Sequence, residues 1–125
     1  MTTKATKRVA IADDEPDMRD FLSRLLPRLG FTVVVTAANG EELLQGCRQA
    51  LPDLIITDLK MPQCDGLSAV QELWQQRPIP VIFITAYPQE LTAWNATDAT
   101  LKLLIKPIRR SDLEQALAEI GFPPS

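Results

Sequence analysis

The stretch Leu54-Ile55-Ile56-Thr57-Asp58-Leu59-Lys60-Met61-Pro62 constrains this chain more than any other. An apolar run of strand length delivers a carboxylate to its C-terminal end, and Met61-Pro62 then stops the strand. In an open α/β sheet, ligands bind at the C-terminal ends of the strands. Asp58 therefore falls where such a sheet does its chemistry, at a position a packed core would not choose for a charge. Read by itself, Asp58 serves equally well as a turn residue or as a cap for the following helix. The other strand ends separate these readings.

A chain of 125 residues is long enough for a single core, so one domain spanning 1–125 is expected, with 1–7 as a polar tail. No apolar run approaches the roughly 18 residues that cross a bilayer, and Met1 to Arg8 lacks a signal-peptide core. The expectation is a cytoplasmic protein without a membrane partner. A net charge of −3 and the lack of a basic stripe argue against direct nucleic-acid binding. Cys47 and Cys64 are isolated in sequence and read as reduced thiols. The chain has no histidine, which excludes Ser-His-Asp or Cys-His catalysis and any histidine-ligated metal within it.

Val9-Ala10-Ile11-Ala12 reads as a buried strand ending in the acids Asp13-Asp14-Glu15, with Pro16 suited to the first position of a helix. Met18, Phe21, Leu22, Leu25, Leu26 and Leu29 give that helix one apolar face, and Pro27 is expected to kink it or end it early. Thr32–Val35 is the second strand. Asn39-Gly40 turns into a helix whose expected buried face is Leu43, Leu44, Cys47, Ala50 and Leu51. The Asp58 strand comes next, then a loop through Cys64-Asp65-Gly66 and a helix carrying Leu67, Val70, Leu73 and Trp74 on one face. Val81–Thr85 is a strand ending in a hydroxyl, and Leu101–Ile105 is a strand ending in Lys106-Pro107. Between them, 88–96 reads as a short fourth helix of poor periodicity. Ser111-Asp112-Leu113-Glu114 is a capping box opening the last helix, which should bury Leu113, Leu117 and Ile120. Five strands alternating with five helices imply an α/β fold with a parallel sheet covered on both faces.

Four strand ends thus carry polar groups on one edge of one sheet: Asp13-Asp14, Asp58, Thr85 and Lys106. Three carboxylates held about 4 Å apart repel by several kcal/mol at an effective dielectric near 20. A hard divalent cation with oxygen ligands relieves this, and Mg²⁺ bound that way keeps sites open for phosphate oxygens. A carboxylate nucleophile, a metal, a lysine and a hydroxyl are what a phosphoryl group in transit needs.

From Val9 to about Ile120 the chain resembles a receiver domain of the two-component response-regulator family, of the chemotaxis-regulator type. The resemblance is carried by Ile-Ala-Asp-Asp-Glu-Pro, Thr-Asp-Leu-Lys-Met-Pro-Gln-Cys-Asp-Gly, Ile-Thr-Ala and Ile-Lys-Pro, in family order. It implies a flavodoxin-like, doubly wound sheet in the order 2-1-3-4-5. It also implies that Asp58 accepts a phosphoryl group from a histidine kinase or phosphotransfer protein. Asp14, Asp58 and the backbone carbonyl of Lys60 would ligate Mg²⁺ (or Mn²⁺), with Asp13 mainly one layer further out. Lys106 and Thr85, with Ala86 beside it, would meet the phosphoryl group, and the bond before Pro107 would be cis. The domain would be no enzyme, although it would assist its own phosphorylation and dephosphorylation. The fourth helix, fifth strand and last helix would form the switching face, signalling to a downstream protein or output domain and offering a route to a homodimer.

The chain departs from the family pattern at Leu103, where an aromatic is common, and at Ala99-Thr100, where Gly-Ala usually opens the strand. Tyr87, Pro88 and Trp94 are also unusual. Trp94 reads first as core packing and second as an exposed anchor for a partner. Lys60 reads equally as a solvated charge or as a group acting on the acyl phosphate. The alternative function is a receiver-like module that binds protein without phosphorylation. A flavin carrier is disfavoured by three acids where a Gly/Ser/Thr phosphate loop belongs, and a haloacid-dehalogenase-type phosphatase by Lys60 where a second acid is expected.

Overall fold

A computed structural model of the chain describes residues 7–91 and 101–123. The elements are β1 (Lys7–Ala12), α1 (Pro16–Arg28), β2 (Phe31–Ala37), α2 (Gly40–Ala50), β3 (Leu54–Thr57), α3 (Gly66–Trp74), β4 (Val81–Thr85), a 3₁₀ turn (Pro88–Leu91), β5 (Leu101–Ile105) and α4 (Arg110–Glu119). All five strands are parallel, in the order β2-β1-β3-β4-β5. That is the order the resemblance implied.

Strand side chains alternate between faces, and here both faces are dry. Ala10 and Ala12 of β1 join Ile55, Val81 and Phe83 beneath α2 and α3, whose Leu43, Cys47, Val70 and Leu73 close that layer. Val9 and Ile11 turn the other way, with Leu54, Ile56, Ile82 and Ile84, against Leu22 and Leu26 of α1 and Leu113 and Leu117 of α4. Strands buried on both sides can carry polar groups only at their ends. The register then decides which ends meet. Ala12 pairs with Thr57, so Asp13 and Asp58 leave the sheet side by side, and Thr85 pairs with Ile105, which brings Lys106 to the same edge.

Several boundaries differ from the sequence reading. Lys7 is not tail but the first residue of β1, paired with Phe31, and β2 runs from Phe31 to Ala37. Pro27 lies inside α1 without ending it, because in the last turn a proline removes only one late hydrogen bond. Leu51 is not buried: it caps α2 in the left-handed region at φ 49° and is 61% exposed, since the helix stops at Ala50. Ser111 is not the N-cap of the last helix. Arg109 holds that place, already extended at φ −107°, and Asp112 accepts its backbone N–H at 2.8 Å, so the box sits two residues early.

The helix count is also corrected. Among the described residues there are four α-helices, not five, and the segment expected as the fourth helix opens as the 3₁₀ turn Pro88–Leu91. The remainder of that segment, with Trp94 and Ala99-Thr100, lies outside the described residues. No helix among the described residues is long and apolar enough to cross a membrane.

Leu43 is wholly buried whereas Leu51 faces solvent. Leu43→Ala should therefore lower unfolding free energy by about 2–5 kcal/mol in urea titrations, and Leu51→Ala by less than about 0.5 kcal/mol.

Candidate functional site

Asp58 is the residue just past β3, and its backbone N–H donates to the Ala12 carbonyl at 3.0 Å, extending the β1–β3 ladder by one rung. Its neighbour across that ladder, Asp13, donates its own N–H to the Ala37 carbonyl of β2 at 3.0 Å. Sheet hydrogen bonding thus fixes the backbones of both acids. Their side chains are also confined, with Asp13 1% and Asp58 6% exposed. One carboxylate oxygen from each of Asp13, Asp14, Glu15 and Asp58 lies within 4.8 Å of the others.

Lys106 reaches into this cluster from the end of β5. Its Nζ lies 2.8 Å from Asp58 Oδ2, 3.0 Å from Asp13 Oδ2 and 2.6 Å from Glu15 Oε1. The Lys106–Pro107 peptide bond is cis, as the resemblance implied. Burial works against the lysine's charge, yet its hydrogen bonds to Asp58, Glu15 and Asp13 outweigh burial and hold the ammonium above the ordinary lysine range. Asp13 shows the opposite balance. Burial raises its carboxyl above the ordinary range, against the Glu15 N–H and Lys106, which pull it down. The Glu15 backbone N–H donates to Asp13 Oδ1 at 2.9 Å, and Arg19 donates to the Asp13 carbonyl at 2.7 Å.

The loop after Asp58 is held by close backbone packing. Gly66 donates its N–H to the Leu59 carbonyl at 2.9 Å, and a Cβ at Gly66 would stand 1.9 Å from the Asp58 carbonyl oxygen. Only glycine fits there. Gly40 at the start of α2 donates to the Cys64 carbonyl at 2.6 Å, tying the same loop to the neighbouring helix. The Lys60 backbone N–H donates to Asp58 Oδ1 at 3.3 Å. Its ammonium lies 5.6 Å from the centroid of the Tyr87 ring. Thr85 is fully buried, and its Oγ1 accepts the Tyr87 backbone N–H at 3.0 Å; among the described residues it makes no hydrogen bond to Asp58. Ala86 is exposed beside it.

These groups surround a cleft of about 500 Å³ lined by Asp14, Glu15, Asp58, Lys60, Met61, Pro62, Ala86, Tyr87 and Lys106. All the residues named from sequence as acid, lysine or loop backbone meet at this cleft or directly behind it. Leu103 does not line it; the side chain is half-buried on β5 against the α2/α3 core layer. Two participants escaped the sequence reading. Glu15 was legible as the third acid of its run, but its partner Lys106 is 91 residues away. Tyr87 carries no sequence signal beyond being unusual at its place, and nothing local ties it to Lys60. Cys47 is core, its thiol pushed up to about 12 by burial, and takes no part.

Three of the four clustered carboxylates share the Lys106 ammonium, so negative charge exceeds positive within the cluster. Removing the ammonium with Lys106→Met should lower stability by about 2–3 kcal/mol at pH 7 without divalent ions, because it strands partly buried acids. For Asp13 the sign runs the other way. Its folded pKa lies above its unfolded value of 3.8, so its ionisation weakens the fold as pH rises through that window. Asp13→Asn should raise the thermal midpoint in chelator at pH 7 and leave it unchanged near pH 3, checked by calorimetric scans at both pH values.

Comparison with known proteins gives the same picture. The family model described as "Response regulator receiver domain" matches residues 9–118. Transcriptional regulatory protein PdtaR of Mycobacterium tuberculosis is 37% identical over 112 residues, covering 89% of this chain and 55% of the relative. The positive alginate biosynthesis regulatory protein of Pseudomonas aeruginosa is 38% identical over 119 residues, covering 92% of this chain and 47% of the relative. This chain therefore spans about half the length of these curated relatives. Among solved structures, the receiver domain of the Erythrobacter litoralis PhyR response regulator superposes with a TM-score of 0.83 at 29% identity, covering 97% of this chain and 95% of that one.

Proposed function

This chain belongs to the response regulator receiver domain family of two-component signalling, and from that premise we propose that Asp58 is its phosphoacceptor. The donor is the phosphohistidine of a histidine kinase or phosphotransfer protein, which fits a chain with no histidine of its own. The observation that carries the reading is the pairing of Asp58 Oδ2 with Lys106 Nζ at 2.8 Å inside a cluster of acids, Asp13 and Asp58 buried and Asp14 and Glu15 exposed, opening on the cleft.

In the transfer, an Asp58 carboxylate oxygen forms the new P–O bond as the P–N bond of the partner's phosphohistidine breaks. The imidazole leaves with that electron pair and takes up a proton to depart neutral. Lys106 stays charged throughout and follows the growing negative charge on the phosphoryl oxygens. Thr85 supplies a hydroxyl hydrogen to one of those oxygens once its side chain turns, and exposed Ala86 leaves that approach open. The donor set is all carboxylate, hard oxygen suited to Mg²⁺ or Mn²⁺. Asp14 and Asp58, with the Lys60 carbonyl and with Asp13 behind them, would hold the ion, which supplies positive charge for the phosphoryl oxygens.

The phosphorylated domain then signals through 86–91, β5 and α4 to a downstream protein or output domain, consistent with relatives about twice its length. The same face offers the route to a homodimer, with Ile105 57% exposed on the edge strand. The alternative, a module that binds without phosphorylation, draws on Leu103, since no ring stands there to turn on activation.

Incubation with acetyl phosphate and Mg²⁺ should add one phosphoryl group by intact mass. The adduct should be absent with chelator and absent in Asp58→Asn. A wild-type protein that stays unmodified, even with a competent phosphodonor kinase, would favour the binding module.

A further inference from the structure

We propose that Glu15 is a positioning residue for Lys106, holding one N–H of the ammonium in the resting domain and giving up that place when a phosphoryl group arrives on Asp58. The inference rests on Asp58 as phosphoacceptor. An ammonium has three N–H donors and no acceptor. Around Lys106 Nζ stand three carboxylate oxygens: Glu15 Oε1 at 2.6 Å, Asp58 Oδ2 at 2.8 Å and Asp13 Oδ2 at 3.0 Å. One acid for each donor leaves none for a further oxygen. A phosphoryl group that bonds Lys106 while these acids stay nearby has to displace one of them.

Glu15 is the acid able to withdraw. Asp13 and Asp58 have backbones fixed by the sheet ladder and buried side chains, so either carboxylate taken off Lys106 would be left charged and poorly solvated. The Glu15 side chain is 62% exposed, and water takes the place of the ammonium there at little cost. Its backbone need not follow. The Glu15 N–H donates to Asp13 Oδ1 at 2.9 Å, and its carbonyl accepts the N–H groups of Met18 and Arg19 at 3.1 and 3.2 Å, so turning the side chain suffices. Beside the cleft, a groove of about 570 Å³ bounded by Asp17, Met18, Phe21, Pro107 and Ile108 gives the carboxylate room to turn.

Charge sets the direction of the exchange. Oxygens that share one ammonium stand a few ångströms apart, and like charges so placed repel strongly at a partly buried site. A phosphoryl dianion on Asp58 brings more negative charge to Lys106 than the carboxylate it is built on. Glu15 relieves that repulsion by leaving for solvent. In the resting domain its contact works against phosphorylation, because it draws on the charge that the phosphoryl oxygens need. The contact joins the start of α1 to the end of β5, 91 residues apart, so it also senses the state of the cleft from its rim.

Beryllium fluoride with saturating Mg²⁺, a stable mimic of the phosphoryl group, tests this on the whole chain. By titration calorimetry, Glu15→Gln should bind the mimic about two- to fivefold more tightly than wild type. Asp17→Asn removes an exposed acid from the same groove but no partner of Lys106, and should match wild type. In a crystal structure of wild type with the mimic, Lys106 Nζ should bond a fluoride, with the Glu15 carboxylate more than about 4 Å away. Three results would each overturn the proposal while leaving Asp58 as phosphoacceptor. They are Glu15→Gln binding no more tightly than wild type, as a ligand of the ion would, an equal gain from Asp17→Asn, and a Glu15 carboxylate still on Lys106 in the complex. Failure of wild type to bind the mimic, together with no adduct from acetyl phosphate, would overturn both.

Discussion

One ammonium group shared by two buried carboxylates and an exposed one is the interaction on which the rest of this molecule turns. Lys106 reaches Asp58, Asp13 and Glu15 within 3.0 Å, and these acids stand together only because β1 and β3 end level with each other. A sheet packed on both faces leaves its strand ends as the sole place for such charge. The fold tolerates like charges there because Lys106 partly offsets them, and the residual imbalance is what makes the cleft receptive to further positive charge. Charges in partial burial also interact more strongly than in water, so a single added phosphoryl group changes the local balance substantially.

The backbone around the Asp58 side of the cleft is firmly held. Gly66, Gly40 and the β1–β3 ladder pin the Asp58 loop by close contacts that no side chain could replace. Opposite it, the Tyr87 backbone N–H bonds the Thr85 hydroxyl and its ring meets the Lys60 ammonium, just before the 3₁₀ turn.

Much of this was legible in the sequence because strong local signals coincided. Short apolar runs between helical stripes marked all five strands; the acids and Lys106 directly followed such runs, and Thr85 ended one. Strand order came from family resemblance, since spacing does not encode which strands pair. The errors came where a local rule met a tertiary constraint. Leu51 fitted the helical stripe, but α2 had already ended. Ser111-Asp112-Leu113-Glu114 had the letters of a capping box, yet the chain was already extended at Arg109. The stretch 88–96, a short helix of poor periodicity by sequence, opens as the 3₁₀ turn Pro88–Leu91. Glu15 and Tyr87 were missed for another reason. Their partners Lys106 and Lys60 approach through the fold, and no sequence period records that approach.

The central claim is chemical: the carboxylate that Lys106 pairs at the end of β3 is the one that carries the phosphoryl group. Borohydride trapping addresses it most directly, because it reduces an acyl phosphate to an alcohol and leaves a permanent mark on the residue that bore it. After phosphorylation, reduction and peptide mapping, homoserine should appear at position 58 alone. Homoserine at 13 or 14, hydroxynorvaline at 15, or a reduced residue at none of the acids in a protein that has taken up phosphate, would contradict the account.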